Sequence, residues 1–501
     1  MQALHAAAIA AAAVLSAVLL WVASPAVGAG WVAWVALVPV AYASLRSGGR
    51  AARAAVPLAF ALYLELLLVP ALPFGIARDQ WGEPPIPLLV GDSPVLVVAL
   101  VAVPLLGLLL YALRFPYVAE AARLPPTLLV LVPALTWTAL DVLRAKGDPG
   151  GAWGPLFLSQ HDTPAATLAV LAGPWLITFV LVAVNYAFAA LAAQRRRGMR
   201  PAVLAAAVVA VLGTASALAA PERERERVVV AAVQPGYDTA EFDRPVLRYL
   251  RKRTRNLERA SLDLASDLAP LTREAAERGA AVVVWPEGTA WVDPRRSRRV
   301  REALTALAEE VGAAIVVPYF LRAQARGAAV VALPSGELTP PQPKQRPMWF
   351  LGERGWPDLG PGPVEAGGVA VGAMLGVDNQ DPASARVLVE RGARLLAAST
   401  HDLAGLAAHQ SALARLHAAA LGVPVVRADW RYGSAVVRAG GERAAEATAG
   451  KRRAVVVAEV EVPSSTTLYA RVGDSLAWAA VAAAVLVALA SRVVRRRASA
   501  G

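Results

Sequence analysis

Trp285-Pro286-Glu287 ends the short β-branched run Ala280–Val284, and this tripeptide is where the chain first offers chemistry. A carboxylate just beyond the C-terminal end of a strand is where α/β proteins often place a reacting group. A loop glutamate without chemistry would satisfy the same tripeptide. The chain contains no cysteine. That excludes disulfides, thiolate metal sites and a thiol nucleophile. The histidines are His5, His161, His401, His409 and His417. Only 409 and 417 share a predicted helix, widely spaced and with no carboxylate pattern beside them, so no metal site is expected. No glycine-rich phosphate loop is present, and no nucleotide cofactor is expected. The net charge of +12 is mostly arginine. These arginines stand beside apolar runs, which fits membrane orientation and not nucleic-acid binding.

The elements that must position Glu287 follow from hydrophobic periodicity. Apolar, β-branched runs predict strands at 228–233, 280–284, 314–318, 327–333, 369–375, 394–398, 424–428, 434–438 and 454–461. Helical spacing covers 245–278, 295–311, 382–391 and 405–421. Such alternation predicts layered α/β packing. The alternating Glu and Arg of 222–227 read as a solvated linker.

The first 220 residues are different in kind. The chain is 56% hydrophobic, and the excess lies in long apolar runs. A spanning helix needs about 20 apolar residues. Candidates are 5–24, 30–45, 54–74, 94–113, 126–143, 172–193 and 201–220, with an eighth at 476–492. The first lacks a basic leader region and is read as a retained helix, not a signal peptide. Asp141 lies near the end of the fifth, where an acid is either interfacial or functional. Arginines fill alternate loops: 46, 50 and 53; 114 and 123; 195–197 and 200; and 492 with 495–497. The loop at 75–93 balances Arg78 against Asp79, Glu83 and Asp92. The positive-inside rule then places both termini in the cytoplasm and the α/β domain outside. The expected organisation is a seven-helix transmembrane domain (1–220), a linker (221–227), an α/β domain (228–470), and a final helix with a basic cytoplasmic tail (471–501).

Several further segments carry a likeness. They are Trp137, Asp141, Leu143 and Arg144 on the fifth span; Gly151 to Leu156 with Ser159 and Gln160; Trp285-Pro286-Glu287; Lys344 through Phe350 to Glu353; His409-Gln410 through Leu421 to Pro424; and Leu468 to Asp474 before the last helix. As a set, spread over nearly the whole chain, they resemble the apolipoprotein N-acyltransferase family, the membrane branch of the nitrilase (carbon-nitrogen hydrolase) superfamily. Asp141 stands where that family has Glu, and the Lys344–Glu353 segment is one residue longer. The resemblance implies a membrane helical bundle of about eight spans with an extracytoplasmic nitrilase-like α-β-β-α sandwich, in a bacterial inner membrane. It also implies an acyl chain passed from a phospholipid, through a cysteine thioester, to a lipoprotein amine. Glu287 would be the general base, Lys344 the oxyanion donor and Glu353 the support of Lys344.

The family pattern breaks at the nucleophile. Counting back from Arg391-Gly392-Ala393 puts that position at Gly376, in Met374-Leu375-Gly376-Val377-Asp378, where the family reads Ile-Cys-Tyr-Glu. Asp378 keeps an acid. Ser399-Thr400-His401-Asp402 replaces a Ser-Asn-Asp segment followed by Trp, and Asp429-Trp430-Arg431-Tyr432-Gly433 replaces an Asn-Gly segment. Such changes read as drift or as new specialisation. Ser399 or Thr400, with His401 or Asp402 as base, could supply a hydroxyl nucleophile; Ser384 and Asp378 are poorer candidates. Direct attack by the amine on the phospholipid ester, with Glu287 as base, is another route. Two functions compete. One is a thiol-independent acyltransferase. The other is a Cys-less homologue that has lost the chemistry and recognises phospholipid or lipoprotein, as partner to an active paralogue or another envelope enzyme.

Overall fold

The computed structural model describes residues 2–46, 49–68, 125, 127–146, 154–194, 196–219, 225–236, 256–348, 352–402, 406–448 and 453–500. They fall into two compact units, one helical (Met1–Leu72, Gly91–Ala219 and Val472–Gly501), the other containing Ala220–Arg471.

The helical unit comprises α1 (Gln2–Ala23), α2 (Val38–Arg46), α3 (Gly49–Leu68), α4 (Leu128–Lys146), α5 (Pro174–Gln194), α6 (Arg196–Leu218) and, from the far end of the chain, Ser475–Ala500. Among the described residues, three stretches are long and apolar enough to cross a membrane: Ala6–Ala23, Leu128–Lys146 and Pro174–Ala193. Shorter apolar helical stretches cover Gly30–Arg46, Ala54–Leu64, Ala202–Leu218 and Ser475–Val487. The expected span at 94–113 lies outside the described residues, as do the 75–93 loop, Arg114 and Arg123. The span expected at 30–45 is not one helix. A 3-10 turn, Gly30–Trp34, precedes the nine residues of α2. Pro39, which has no N–H to donate, sits in the first turn of α2, where that loss costs nothing. Asn185 of α5 repairs the broken ladder: its Nδ2 donates to the Ala33 carbonyl at 2.9 Å, and its Oδ1 accepts from the Leu37 N–H at 2.8 Å. Backbone groups in an apolar surround need such internal partners. Asp141 is buried and paired with Arg144 one turn on, at 2.9 Å. Asp474, just before the last helix, accepts from the Trp175 indole at 3.0 Å and from Lys146 at 3.2 Å.

The second unit is built on two six-stranded sheets. Its strands are β1 (Arg225–Gln234), β2 (Val282–Val284), β3 (Ala314–Leu321), β4 (Arg326–Ala332), β5 (Gln342–Pro343), β6 (Val364–Ala366), β7 (Val369–Leu375), β8 (Leu395–Thr400), β9 (Val425–Asp429), β10 (Ala435–Val437), β11 (Arg443–Glu446) and β12 (Ala454–Pro463). One sheet runs β12-β1-β2-β3-β4-β5 and the other β11-β10-β9-β8-β7-β6. Side chains alternate across a strand. Thus Val230, Val282, Val284, Ala314 and Val316 meet Val371, Ala373, Leu395, Ala397 and Val426 between the sheets. Val283, Ile315 and Val317 face the other way, against α7 (Leu257–Glu277) and α8 (Arg298–Val311). Two more helices, α9 (Pro382–Glu390) and α10 (Ala407–Leu421), pack on the second sheet, completing an α-β-β-α sandwich. Helix α8 begins on Ser297, whose hydroxyl accepts the Val300 N–H, and stops at Gly312 with φ +64°. Residues 245–255 of the expected 245–278 helix lie outside the described residues, and the rest of it is α7.

Strands β1, β2 and β3 are mutually parallel, as are β7, β8 and β9. The carboxyl ends of β2, β7, β8 and β9 carry Glu287, Gly376, Thr400 and Asp429 respectively, three residues beyond Val284 in the first case.

Candidate active site

Glu287 is reached by a turn that the surrounding residues hold firmly. Trp285 is fully buried, and its indole donates to Thr272 of α7 at 3.0 Å. Pro286 follows, then Glu287. The Glu287 N–H donates to the Thr400 carbonyl at 3.3 Å, and the Trp430 indole donates to the Glu287 carbonyl at 2.7 Å. The carboxylate remains partly open, with 27% of its side chain exposed.

Lys344 follows the two-residue strand β5. Gln342 in that strand donates to the Val371 carbonyl at 3.2 Å and accepts from the Ala373 N–H at 2.9 Å. It thereby pins the edge of one sheet to β7 of the other and delivers Lys344 beside Glu287. The Lys344 stem lies over Gly327, where a Cβ would stand 3.2 Å from Lys344 Cδ. Its Nζ is 3.1 Å from Glu287 Oε1 and 3.0 Å from Glu353 Oε2. Glu353 Oε2 also accepts the Met348 N–H at 2.8 Å. Burial alone would lower the ammonium's pKa, but Glu287, Glu353 and Asp378 together outweigh it and hold the proton more tightly than usual. The Glu287 carboxyl is raised, chiefly by burial, against the pull of Lys344 and with a push from Glu353. A proton carrier with a raised pKa and a fixed cation are the groups needed for proton transfer beside a developing oxyanion.

Gly376 begins the turn that follows β7, with φ +51°. This is a strand-to-helix turn of the sort on which α/β-hydrolases expose a nucleophile. Here it presents no side chain. A Cβ built at Gly376 would come within 2.7 Å of Glu287 Oε1 and 2.9 Å of its Cδ. The Glu287 carboxylate therefore occupies the room where a side chain at 376 would start.

Asp378 is brought to the site but has a different job from Glu287. It is fully buried, and its oxygens accept the Arg346 N–H at 2.7 Å and the Gln345 and Leu375 N–H groups at 3.1 Å. It ties the turn after β7 to the segment after Lys344, so it is a positioning group and not a free nucleophile. Burial pushes its carboxyl up to about 7, against Lys344 and those N–H donors. The alternative hydroxyls are also committed. Ser399 Oγ donates to the Trp285 carbonyl at 2.7 Å, and Thr400 Oγ1 donates to Asp429 Oδ2 at 3.1 Å. Ser384 is buried in α9. His401 lies with its ring 6.3 Å from that of Trp430, and burial lowers its pKa. Among the described residues, no group of three or more His, Asp or Glu could hold a metal ion.

The strand predicted at 424–428 contains Arg427, to which the sequence alone assigns no role. Arg427 is fully buried in β9, pairs with Asp402, and donates to the Tyr432 carbonyl at 2.9 Å and to that of Gly433. The signal was present: two charges, Arg427 and Asp429, on an otherwise apolar strand need partners if the strand is central.

Residues 16–187 match the family "apolipoprotein N-acyltransferase N-terminal domain", and residues 229–469 match "carbon-nitrogen hydrolase". No curated protein gives a significant match. Among solved structures, the chain is similar to a carbon-nitrogen hydrolase from Helicobacter pylori G27, with 18% identity, 47% of this chain and 89% of that one covered, and a TM-score of 0.37. It is also similar to a mutant of the amidase from Nesterenkonia sp. AN1 that carries an acetamide moiety at its active site cysteine, with 19% identity, 48% and 92% covered, and a TM-score of 0.36.

Proposed function

We propose that this chain, a member of the apolipoprotein N-acyltransferase family of the nitrilase superfamily that contains no cysteine, recognises phospholipid acyl chains and lipoprotein N-termini at a site where the thioester route is closed. The supporting observation is the turn at Gly376. It has no side chain, and the Glu287 carboxylate stands where one would begin. A thioester cannot form there, and the neighbouring hydroxyls are engaged elsewhere. In this reading the protein is a multi-pass protein of the bacterial inner membrane, with both termini cytoplasmic and residues 228–470 outside. Its partner is an active paralogue or another envelope enzyme.

A second reading is favoured by the assembled Glu287–Lys344–Glu353 trio, whose two 3.0–3.1 Å ion pairs survive the loss of the thiol. Here the lipoprotein amine attacks the phospholipid ester directly. Glu287 takes the amine proton, Lys344 Nζ stabilises the tetrahedral oxyanion, and Glu353 holds Lys344 in place. The glycerol oxygen leaves with a proton, and the new amide is released.

One experiment separates the two. Purified full-length protein in phospholipid liposomes is mixed with a diacylated lipopeptide, and peptide mass and binding are both measured, with Glu287→Ala as control. Saturable binding without a mass gain supports recognition alone. A gain of one acyl chain that vanishes in the control replaces that reading with direct transfer. Neither binding nor transfer overturns both.

A further inference from the structure

Two segments, 399–402 and 429–433, meet beside Glu287. Their side chains form one hydrogen-bonded network, and its ends close on Glu287.

Asp429 is its hub. Fully buried at the end of β9, it accepts through Oδ2 from Thr400 Oγ1 at 3.1 Å and from the Asp402 N–H at 2.9 Å. Through Oδ1 it accepts from the Arg431 N–H at 3.0 Å and the Tyr432 N–H at 2.6 Å. Its own N–H donates to Ser434 Oγ at 2.9 Å. Arg427 supplies the cation. It pairs with Asp402, and its Nη2 lies 3.9 Å from Asp429 Oδ2. All three charged side chains are buried to 7% exposure or less. A buried charge set of this size is costly unless fully bonded, and here each member is held by at least one other.

The output of the network is the main chain of Glu287. Thr400, whose hydroxyl is on Asp429, accepts the Glu287 N–H through its carbonyl. Trp430, next to Asp429, donates its indole N–H to the Glu287 carbonyl at 2.7 Å. The peptide groups on both sides of the Glu287 Cα are thus gripped by residues that Asp429 orients.

We propose that Asp429 and Trp430, backed by Arg427 and Asp402, are positioning residues of this site, which fix the Glu287 backbone so that its carboxylate stands against Lys344 in the space at Gly376. This rests on the proposed role of Glu287 in recognition or transfer, but its structural part can be tested without that role.

The test uses the full-length protein in detergent micelles with Trp430→Phe and Asp429→Asn. Trp430→Phe keeps the ring and removes only the donor to Glu287, so folding should survive; it carries the test if Asp429→Asn does not fold. Hydrogen exchange is followed by mass spectrometry in the peptide covering 285–291 and, as reference, in the peptide covering α8. The same proteins are titrated with a diacylated lipopeptide across pH. Both variants are expected to speed exchange in 285–291 about tenfold, the equivalent of one lost hydrogen bond, while α8 keeps the wild-type rate. The pH midpoint of lipopeptide binding is expected to shift with them. Unchanged exchange in 285–291, or an equal rise in α8, overturns the positioning role. Locally faster exchange in a protein whose wild type binds no lipopeptide supports the network and overturns the proposed function instead. Locally faster exchange with an unmoved pH midpoint overturns the coupling to Glu287 chemistry.

Discussion

Adding a single methyl group at Gly376 tests the reading of the site most directly. Two costs follow from the geometry. The φ of +51° lies in the left-handed region, which costs a residue with a Cβ about 1–2 kcal/mol. That Cβ would also lie 2.7 Å from Glu287 Oε1 and 2.9 Å from Cδ, inside van der Waals contact. The carboxylate must then rotate away and give up its 3.1 Å bond to Lys344, a charge-assisted hydrogen bond worth about 1.5–3 kcal/mol. Gly376→Ala should therefore destabilise the α/β unit by about 2.5–5 kcal/mol. In a Glu287→Ala background the steric conflict is gone, and only the backbone cost of about 1–2 kcal/mol should remain. The coupling energy in this double-mutant cycle should thus be about 1.5–3 kcal/mol. For a unit of this size each kcal/mol moves the melting midpoint by about 2–4 °C, and tryptophan fluorescence on heating in detergent reads it. Equal drops in the two backgrounds would refute the claim that Glu287 fills the vacated space. Gly376→Cys places the same Cβ in the same position, so returning the thiol alone should not return an acyl-enzyme; exposure of that variant to phospholipid, followed by intact-mass measurement, checks it.

Other consequences are equally open to measurement. Lys344→Met leaves Glu287 and Glu353 facing each other with no cation, and should cost about 3–5 kcal/mol, much of it regained when both glutamates are also changed to glutamine; thermal melts of the three proteins decide this. Burial raises the Asp378 carboxyl from 3.8 to about 7 against the pull of Lys344 and of three backbone N–H donors. The folded state then holds a proton that the unfolded chain has released, so stability from this group is greatest at acid pH, declines as pH rises from about 4 to 7, and is flat above. Asp378→Asn should flatten melting midpoints between about pH 4 and 7, and an unchanged slope would assign the effect elsewhere. Because the natural chain has no cysteine, one introduced at exposed Arg301 is the only thiol present. It should react with a membrane-impermeant maleimide added to intact spheroplasts, whereas one introduced at Arg50 should react only after permeabilisation; the reverse pattern would invert the proposed topology.

Much of the fold could be read from the chain because it is written in local patterns. Apolar runs long enough for α1, α4 and α5, and short apolar runs at 282–284, 314–317, 369–375 and 395–398, announce themselves through period and length. The short strands at 342–343, 364–366 and 443–446 did not, since two to four residues carry no period and owe their existence to neighbours already in the sheet. The broken helix at 30–46 was likewise hidden in an unbroken apolar run, because what stabilises the break is Asn185, far away in sequence.

At the site the division is sharper. Composition alone excluded a thiol, and strand-end position marked Glu287. Only the folded chain shows Gln342 tying the edge strand that carries Lys344 to the opposite sheet, Asp378 bound to three backbone N–H groups instead of facing the reaction, and the Glu287 carboxylate lying in the room at Gly376. Nor could the partners of Arg427 be assigned in advance, though its charge in an apolar strand signalled a need for them. Residue types and their spacing determine which groups are present and which strands carry them. How far apart those groups stand, and which of them are already engaged, depends on the register and packing of two sheets whose contributing strands lie tens to hundreds of residues apart, and the chain acquires those distances only when it folds.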